Sequence, residues 1–149
     1  MWENLLYLVE MKANDAPKAN VGLVDYGKSP ALNVRLARTA LFGDNAIQQA
    51  DQWFAALPKP LSIETGSLSI IPPGIPTSDK QQIAFITAES DRPLSQSDID
   101  HITQTDHAAV VVARIEYYDL EGNLYWSDIC QFRLATGAIA SCHTHNEMH

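Results

Sequence analysis

The stretch His107–Cys142, HAAVVVARIEYYDLEGNLYWSDICQFRLATGAIASC, decides the fold. Two glycine-bearing turn signals, DLEGN and ATG, divide it into three runs, the first two rich in β-branched and aromatic residues. That is the composition of strands joined by tight hairpins. Pairing Tyr118 with Asn123 across the first turn places Ile115 opposite Trp126 and Val111 opposite Cys130. The second turn is centred on Thr136, six residues from Cys130 and six from Cys142, so a symmetric hairpin sets the two cysteines face to face.

Upstream, the chain keeps the same character with two helical interruptions. Leu32, Val34 and Leu36 alternate with Asn33, Arg35 and Ala37, the period of a half-buried strand. Asp44 or Asn45 can cap a helix through IQQADQWFAAL, where Ile47, Ala50, Phe54 and Leu57 recur at helical spacing until Pro58 and Pro60 end it. Ser95 followed by Asp98 has the form of a capping box and opens a short helix that turns Ile99 and Ile102 inward. Glu3–Lys12 fits a first strand or a short helix, its leucines satisfying neither period cleanly, and the strand reading is taken; VGLVDYG from Val21, the alternation around Leu68 and Ile70, and QQIAFITAE read as further strands. The prolines of Ile71–Pro76 mark the Leu68 run as a sheet edge. Several strands, two small connecting helices and no βαβ rhythm predict a mainly β fold, an antiparallel immunoglobulin-like sandwich. One domain over residues 1–149 suffices, with residues 1–18 as first strand and linker and 143–149 as a C-terminal tail. A chain of this length buries roughly 70% of its unfolded surface.

Charge narrows the partners. The chain carries a net charge of -8, and its ten Lys and Arg residues are scattered singly, so neither nucleic acid nor an anionic membrane surface has a basic patch to grip. The apolar segment near Leu5–Val9 is far short of the ~20 residues of a membrane span and has no signal-peptide layout. Membrane attachment is therefore expected only through a segment outside this chain.

Both cysteines and three of the five histidines fall within Ile129–His149. Cross-strand neighbours approach within about 4.5 Å between Cα atoms, inside the range of a disulfide. In an oxidising compartment the pair forms a bridge contributing about 3 kcal/mol; in a reducing one it forms two buried thiols. The spacing is not that of a C-x-x-C redox pair. Cys142, His143, His145 and His149 have the residue types of a metal site, and H-x-H sets two imidazoles on one side of an extended segment. A second ligand cluster of specific spacing is lacking, so a solvated tail is the competing reading. No serine lies in a G-x-S-x-G elbow, and neither a phosphate loop nor H-E-x-x-H occurs. No catalytic residue and no cofactor is expected. Asp128 shares a strand face with Leu124, Trp126, Cys130 and Phe132; it lies either at the rim, the expected place, or against a buried partner such as Arg114 or a histidine.

Two stretches together carry a likeness. DYGKSPALNV (residues 25–34) and RIEYYDLEGNLYWSDICQF (114–132), followed by C-x-x-x-N-E from Cys142, resemble the G-K-[ST]-P-A-x-N-V and Y-x-D-x-x-G…C…C-x-x-x-N-E patterns of an uncharacterised family of bacterial membrane-anchored proteins. In that family one or two N-terminal membrane helices precede an extracytoplasmic immunoglobulin-like domain. The likeness spans about Val21–Glu147 without the middle, and Leu120-Glu121-Gly122 stands where the pattern has an aromatic and a glycine. It implies a tight turn at Gly27 and Pro30, a hairpin at Tyr117, Asp119 and Gly122, and a Cys130–Cys142 bridge. It also implies an extracytoplasmic location, periplasmic or membrane-anchored. With no activity to carry over, the expectation is a non-catalytic module for protein interaction or envelope structure. Its partner would be another protein, or a second copy through an edge strand. The alternative is a metal-binding domain using the C-terminal histidines.

Overall fold

The computed structural model describes residues 2–8, 11–25, 30–61, 67–71, 84–90 and 92–149, with the backbone alone for 2–8, 20–25, 67–71 and 84–89. Among these residues the chain is mainly β, with eight strands and two helices. In order they are β1 Trp2–Leu8, β2 Lys18–Asp25, β3 Ala31–Phe42, α1 Ala46–Ala56, β4 Ser67–Ile71, β5 Ala84–Glu89, α2 Gln96–Gln104, β6 Ala109–Tyr118, β7 Leu124–Arg133 and β8 Ile139–Ser141. All pairings are antiparallel, in a three-stranded sheet β1-β2-β5 and a five-stranded sheet β4-β3-β6-β7-β8. The turn expected at Gly27 and the proline run after Ile71 lie outside the described residues.

β6 is central in the larger sheet, and its first eight residues, Ala109–Glu116, are all buried. That explains the unbroken apolar run AVVVA: a strand covered on both faces has no solvent side to mark with alternation. One face joins Val111, Ala113 and Ile115 to Val34, Leu36, Ile99, Ile102 and Ile129, with Ala19 of β2 in the same cluster. The other face gathers Val110, Val112, Cys130 and Cys142 under Ala46, Ala50 and Phe54 of α1. β3 is likewise covered more fully than its alternation suggests, since Ala37 is buried beside Leu36. An irregularity between Leu32 and Arg35, with Asn33 at φ +49°, shifts its facing there.

The helices follow local chemistry. α2 carries the complete capping box: Ser95 Oγ accepts from the Asp98 amide at 3.1 Å, and Asp98 accepts from the Ser95 amide at 2.9 Å. These bonds, with the Ser95 backbone contact foremost, hold the Asp98 carboxyl below its ordinary value. α1 is capped less directly than expected. Asn45 occupies the N-cap without a side-chain capping bond, and its Oδ1 instead accepts from Gln49 Nε2 at 2.6 Å. Leu57, the residue before Pro58, turns extended, as the proline ring requires.

Both β6–β7 and β7–β8 close through three-residue loops with a left-handed glycine last, Gly122 at φ +84° and Gly137 at +89°. In the second, the Leu134 amide donates to Ala138 O at 2.8 Å, and β8 pairs in the register centred on Thr136. In the first, Asp119 and not Tyr118 faces Asn123, its amide donating to Asn123 O at 3.1 Å. Asp119 Oδ1 accepts from the Glu121 and Asn123 amides, both at 2.9 Å, and these loop bonds select the register. Every expected β6–β7 pair therefore moves by one: Tyr118 faces Leu124, Ile115 faces Ser127, and Val112 faces Cys130.

Candidate binding cleft and C-terminal clasp

The corrected register sets Arg114 directly opposite Asp128. Arg114 Nε and Nη2 each donate to a separate Asp128 oxygen at 2.6 Å, a bidentate pair whose side chains are only 8% and 5% exposed. The rim placement expected for Asp128 is thus overturned in favour of a buried partner. An ionisable side chain on a covered strand face must be paired, because an isolated charge there loses its hydration without compensation. The Asp128 bonds push the Arg114 guanidinium further above its ordinary value. Trp126 lies against the guanidinium, 4.8 Å from ring centroid to Cζ, and Phe54 of α1 stands at 5.9 Å.

Where α1 ends, Lys59, Pro60 and Leu61 cross beside this pair. Glu116, also buried, accepts from the Leu61 amide at 2.8 Å, while Arg35 Nη1 donates to Leu61 O at 2.7 Å. The two strands thereby grip both polar ends of one peptide segment. Between that segment and the sheet opens a cleft of about 320 Å³ lined by Lys59, Pro60, Arg114, Glu116, Leu124 and Trp126. Its charged floor groups are tied into hydrogen bonds, so the cleft presents a fixed surface with apolar flanks and a few polar points. Such a surface suits recognition.

The cysteines form the bridge, with Cα atoms 5.4 Å apart. The separation exceeds the 4.5 Å expected for a non-hydrogen-bonded pair because the Cys142 amide donates to Cys130 O at 2.9 Å. Its reciprocal bond is replaced by a side chain. The Cys130 amide donates to Asn146 Oδ1 at 3.0 Å, and Asn146 Nδ2 donates to Cys142 O at 2.9 Å, so one amide side chain fills the missing rung.

No protein-family model matches the chain, and no curated protein matches it.

The expected solvated tail is hydrogen-bonded instead. The Asp128 amide donates to Glu147 O at 2.9 Å, and Trp126 and His149 exchange both backbone bonds at 2.7 and 2.8 Å, with Met148 opposite Ser127. The three histidines singled out as metal candidates go to different places. His145 stacks on Phe54 with centroids 4.2 Å apart, its Nε2 2.8 Å from Asp51. His149 lies over Trp126 at 4.4 Å, and His143 is exposed. Cys142 sulfur is committed to the bridge. Among the described residues no three His, Cys, Asp or Glu side chains converge on a common point. No described helix is long and apolar enough to cross a membrane.

Sequence reasoning named Arg114 only as one possible partner of Asp128, behind the rim placement, and missed two candidate-site residues, Glu116 and Asn146. The signal at Arg114 and Glu116 was a pair of ionisable residues inside the otherwise apolar AVVVARIEYY, which marks them as buried without naming the partner of Glu116. Asn146 carried no signal beyond its place in C-x-x-x-N-E.

Proposed function

We propose that this chain is a non-catalytic, extracytoplasmic module for protein interaction, built as an immunoglobulin-like β-sandwich and held at the membrane by a segment outside it. The cleft carries the reading: Trp126, Leu124 and Pro60 supply apolar contact area, while Arg114, Asp128 and Glu116 are tied in hydrogen bonds that keep the surface rigid. Preorganised contact surfaces of this kind lose little side-chain entropy on binding. The disulfide favours an oxidising compartment, where such bridges persist. Two antiparallel sheets of three and five strands, with Ala19 of β2 in the core of the larger one, agree with the sandwich.

A photo-crosslinking residue at Lys59, on the cleft rim, tests the reading in envelope fractions of the native host. The expected outcome is one discrete adduct that disappears with Trp126→Ala and does not form from Gln104 at the end of α2. Absence of any Trp126-dependent adduct from Lys59 would remove the cleft as an interaction site.

A further inference from the structure

Glu147–His149 behaves as an added strand. The β8 ladder covers the outer edge of β7 along Gln131–Arg133, and the closing residues occupy a second stretch of that edge, Trp126–Asp128. Opposed residue numbers sum to 272 in the β7–β8 ladder and to 275 where Ser127 meets Met148. The three extra residues are taken up in the turn after Cys142, where His145 has φ +62°. The segment, with Asn146 leading into it, therefore docks as a separate piece, joined to the disulfide anchor only through His143-Thr144-His145.

The surroundings point to association. Among the described residues the large exposed hydrophobics are Leu120, Leu124, Tyr125 and Met148, and all lie on the β6–β7 hairpin or on the segment docked against it. Exposed apolar side chains gathered at a strand edge mark a place where another chain packs.

We infer that the Trp126–Asp128 edge of β7 is a strand-accepting site, and that Asn146–His149 of a second copy of this chain docks there in place of the chain's own, giving a reciprocally swapped dimer. Every contact made in cis is reproduced in trans, because the exchanged element is identical: the three backbone bonds, the Asn146 rung at Cys130, and the His149–Trp126 stack. Only the tether distinguishes the two forms. With Cys142 fixed to Cys130, three linking residues keep the effective concentration of the cis segment high, and the monomer is favoured. Cutting the bridge lengthens the tether to include β8 and releases the exchange. The disulfide is thus a latch on homotypic association. The inference shares with the proposed function the reading of this chain as an interaction module and also Trp126, which lines the cleft and carries His149 at the edge; the cysteine traps at 127 and 148 leave Trp126 unchanged, so the Lys59 crosslink and the edge exchange can fail separately.

Cysteine trapping tests it. A full-length Ser127→Cys population is mixed with a Met148→Cys population, both carrying Cys130→Ala and Cys142→Ala, under mild oxidation. Ser127 and Met148 are a non-hydrogen-bonded cross-strand pair, whose close Cα atoms suit a disulfide. A covalent heterodimer is expected at a yield about tenfold or more above that of Met148→Cys mixed with Thr136→Cys, which lies at the opposite end of β7. Keeping Cys130 and Cys142 should cut the yield by a similar factor. If the alanine background fails to fold, the same trapping in a Cys130→Val, Cys142→Ser background, which also lacks the bridge, decides the matter. No 127–148 product there, or a yield no greater than the Thr136 control, overturns the exchange.

Discussion

The two ends of β7 are secured by opposite means. From Cys130 to Arg133 the strand is bound covalently to the residue after β8 and packed under Phe54 and Ala50, with little charge involved. From Trp126 to Asp128 it is held by a buried ion pair, a ring on a guanidinium and a borrowed strand. The first arrangement tolerates local loosening because a bond persists when contacts are lost. The second is all-or-none, since removing one member strands another in a dry place.

The sharpest way to break this contrast is Asp128→Ala. It leaves the Arg114 guanidinium buried without a counter-charge and should cost about 3–5 kcal/mol in urea unfolding. Arg114→Met combined with Asp128→Leu should recover most of that loss, because the pair's own net contribution is small beside the cost of breaking it. An equal loss in the double variant would mean that packing, not charge, governs this end.

Reduction of Cys130–Cys142 tests the other end and should lower stability by about 3 kcal/mol on the chain-entropy account. Asn146→Ala comes next. It removes the partner of the Cys130 amide and of Cys142 O, for about 1–3 kcal/mol, and should also shorten hydrogen-exchange protection at Cys130. An unchanged Cys130 amide would show that the rung is not formed in solution.

The smallest effect lies at the hairpin tip that sets where β7 begins. Hydrogen bonds to Asp119, from the Asn123 side chain foremost, hold its carboxyl below the ordinary 3.8, as the Ser95 contacts do for Asp98. A depressed folded value means that the contribution is fully present above about pH 4 and is lost as the pH falls through that lower value. Stability should therefore decline on acidification below pH 4, and Asp119→Asn with Asp98→Asn should flatten the decline in pH-dependent thermal unfolding.

Much of the fold was legible because its signals are local. The capping box of Ser95 and Asp98, the helical spacing of Ala50 and Phe54, and the glycine at the end of ATG each act within a few residues. The β7–β8 register and the cysteine pairing followed from that last signal. The β6–β7 register did not, although the loop LEG holds its glycine at the same third position: pairing Tyr118 with Asn123 overlooked that Asp119 bonds across the loop to the Asn123 amide. That one-residue slip hid the site, because it set Arg114 against Ser127 and left Asp128 without its partner. Glu116 and Asn146 were not legible in any register, as their bonding partners, Leu61 and Cys130, are 55 and 16 residues away.

The sequence by itself determined a mainly β chain with two short helices, the second hairpin and the facing of its two cysteines, since periodicity, turn glycines and symmetric spacing depend on neighbours along the chain. Tertiary structure alone decided that Arg114 and Asp128 meet, that α1 ends beside them to leave a cleft, and that the closing histidines dock on Phe54 and Trp126 along a strand edge. Those outcomes depend on which faces are covered and which backbone groups are left without partners, and such quantities exist only once distant segments have packed.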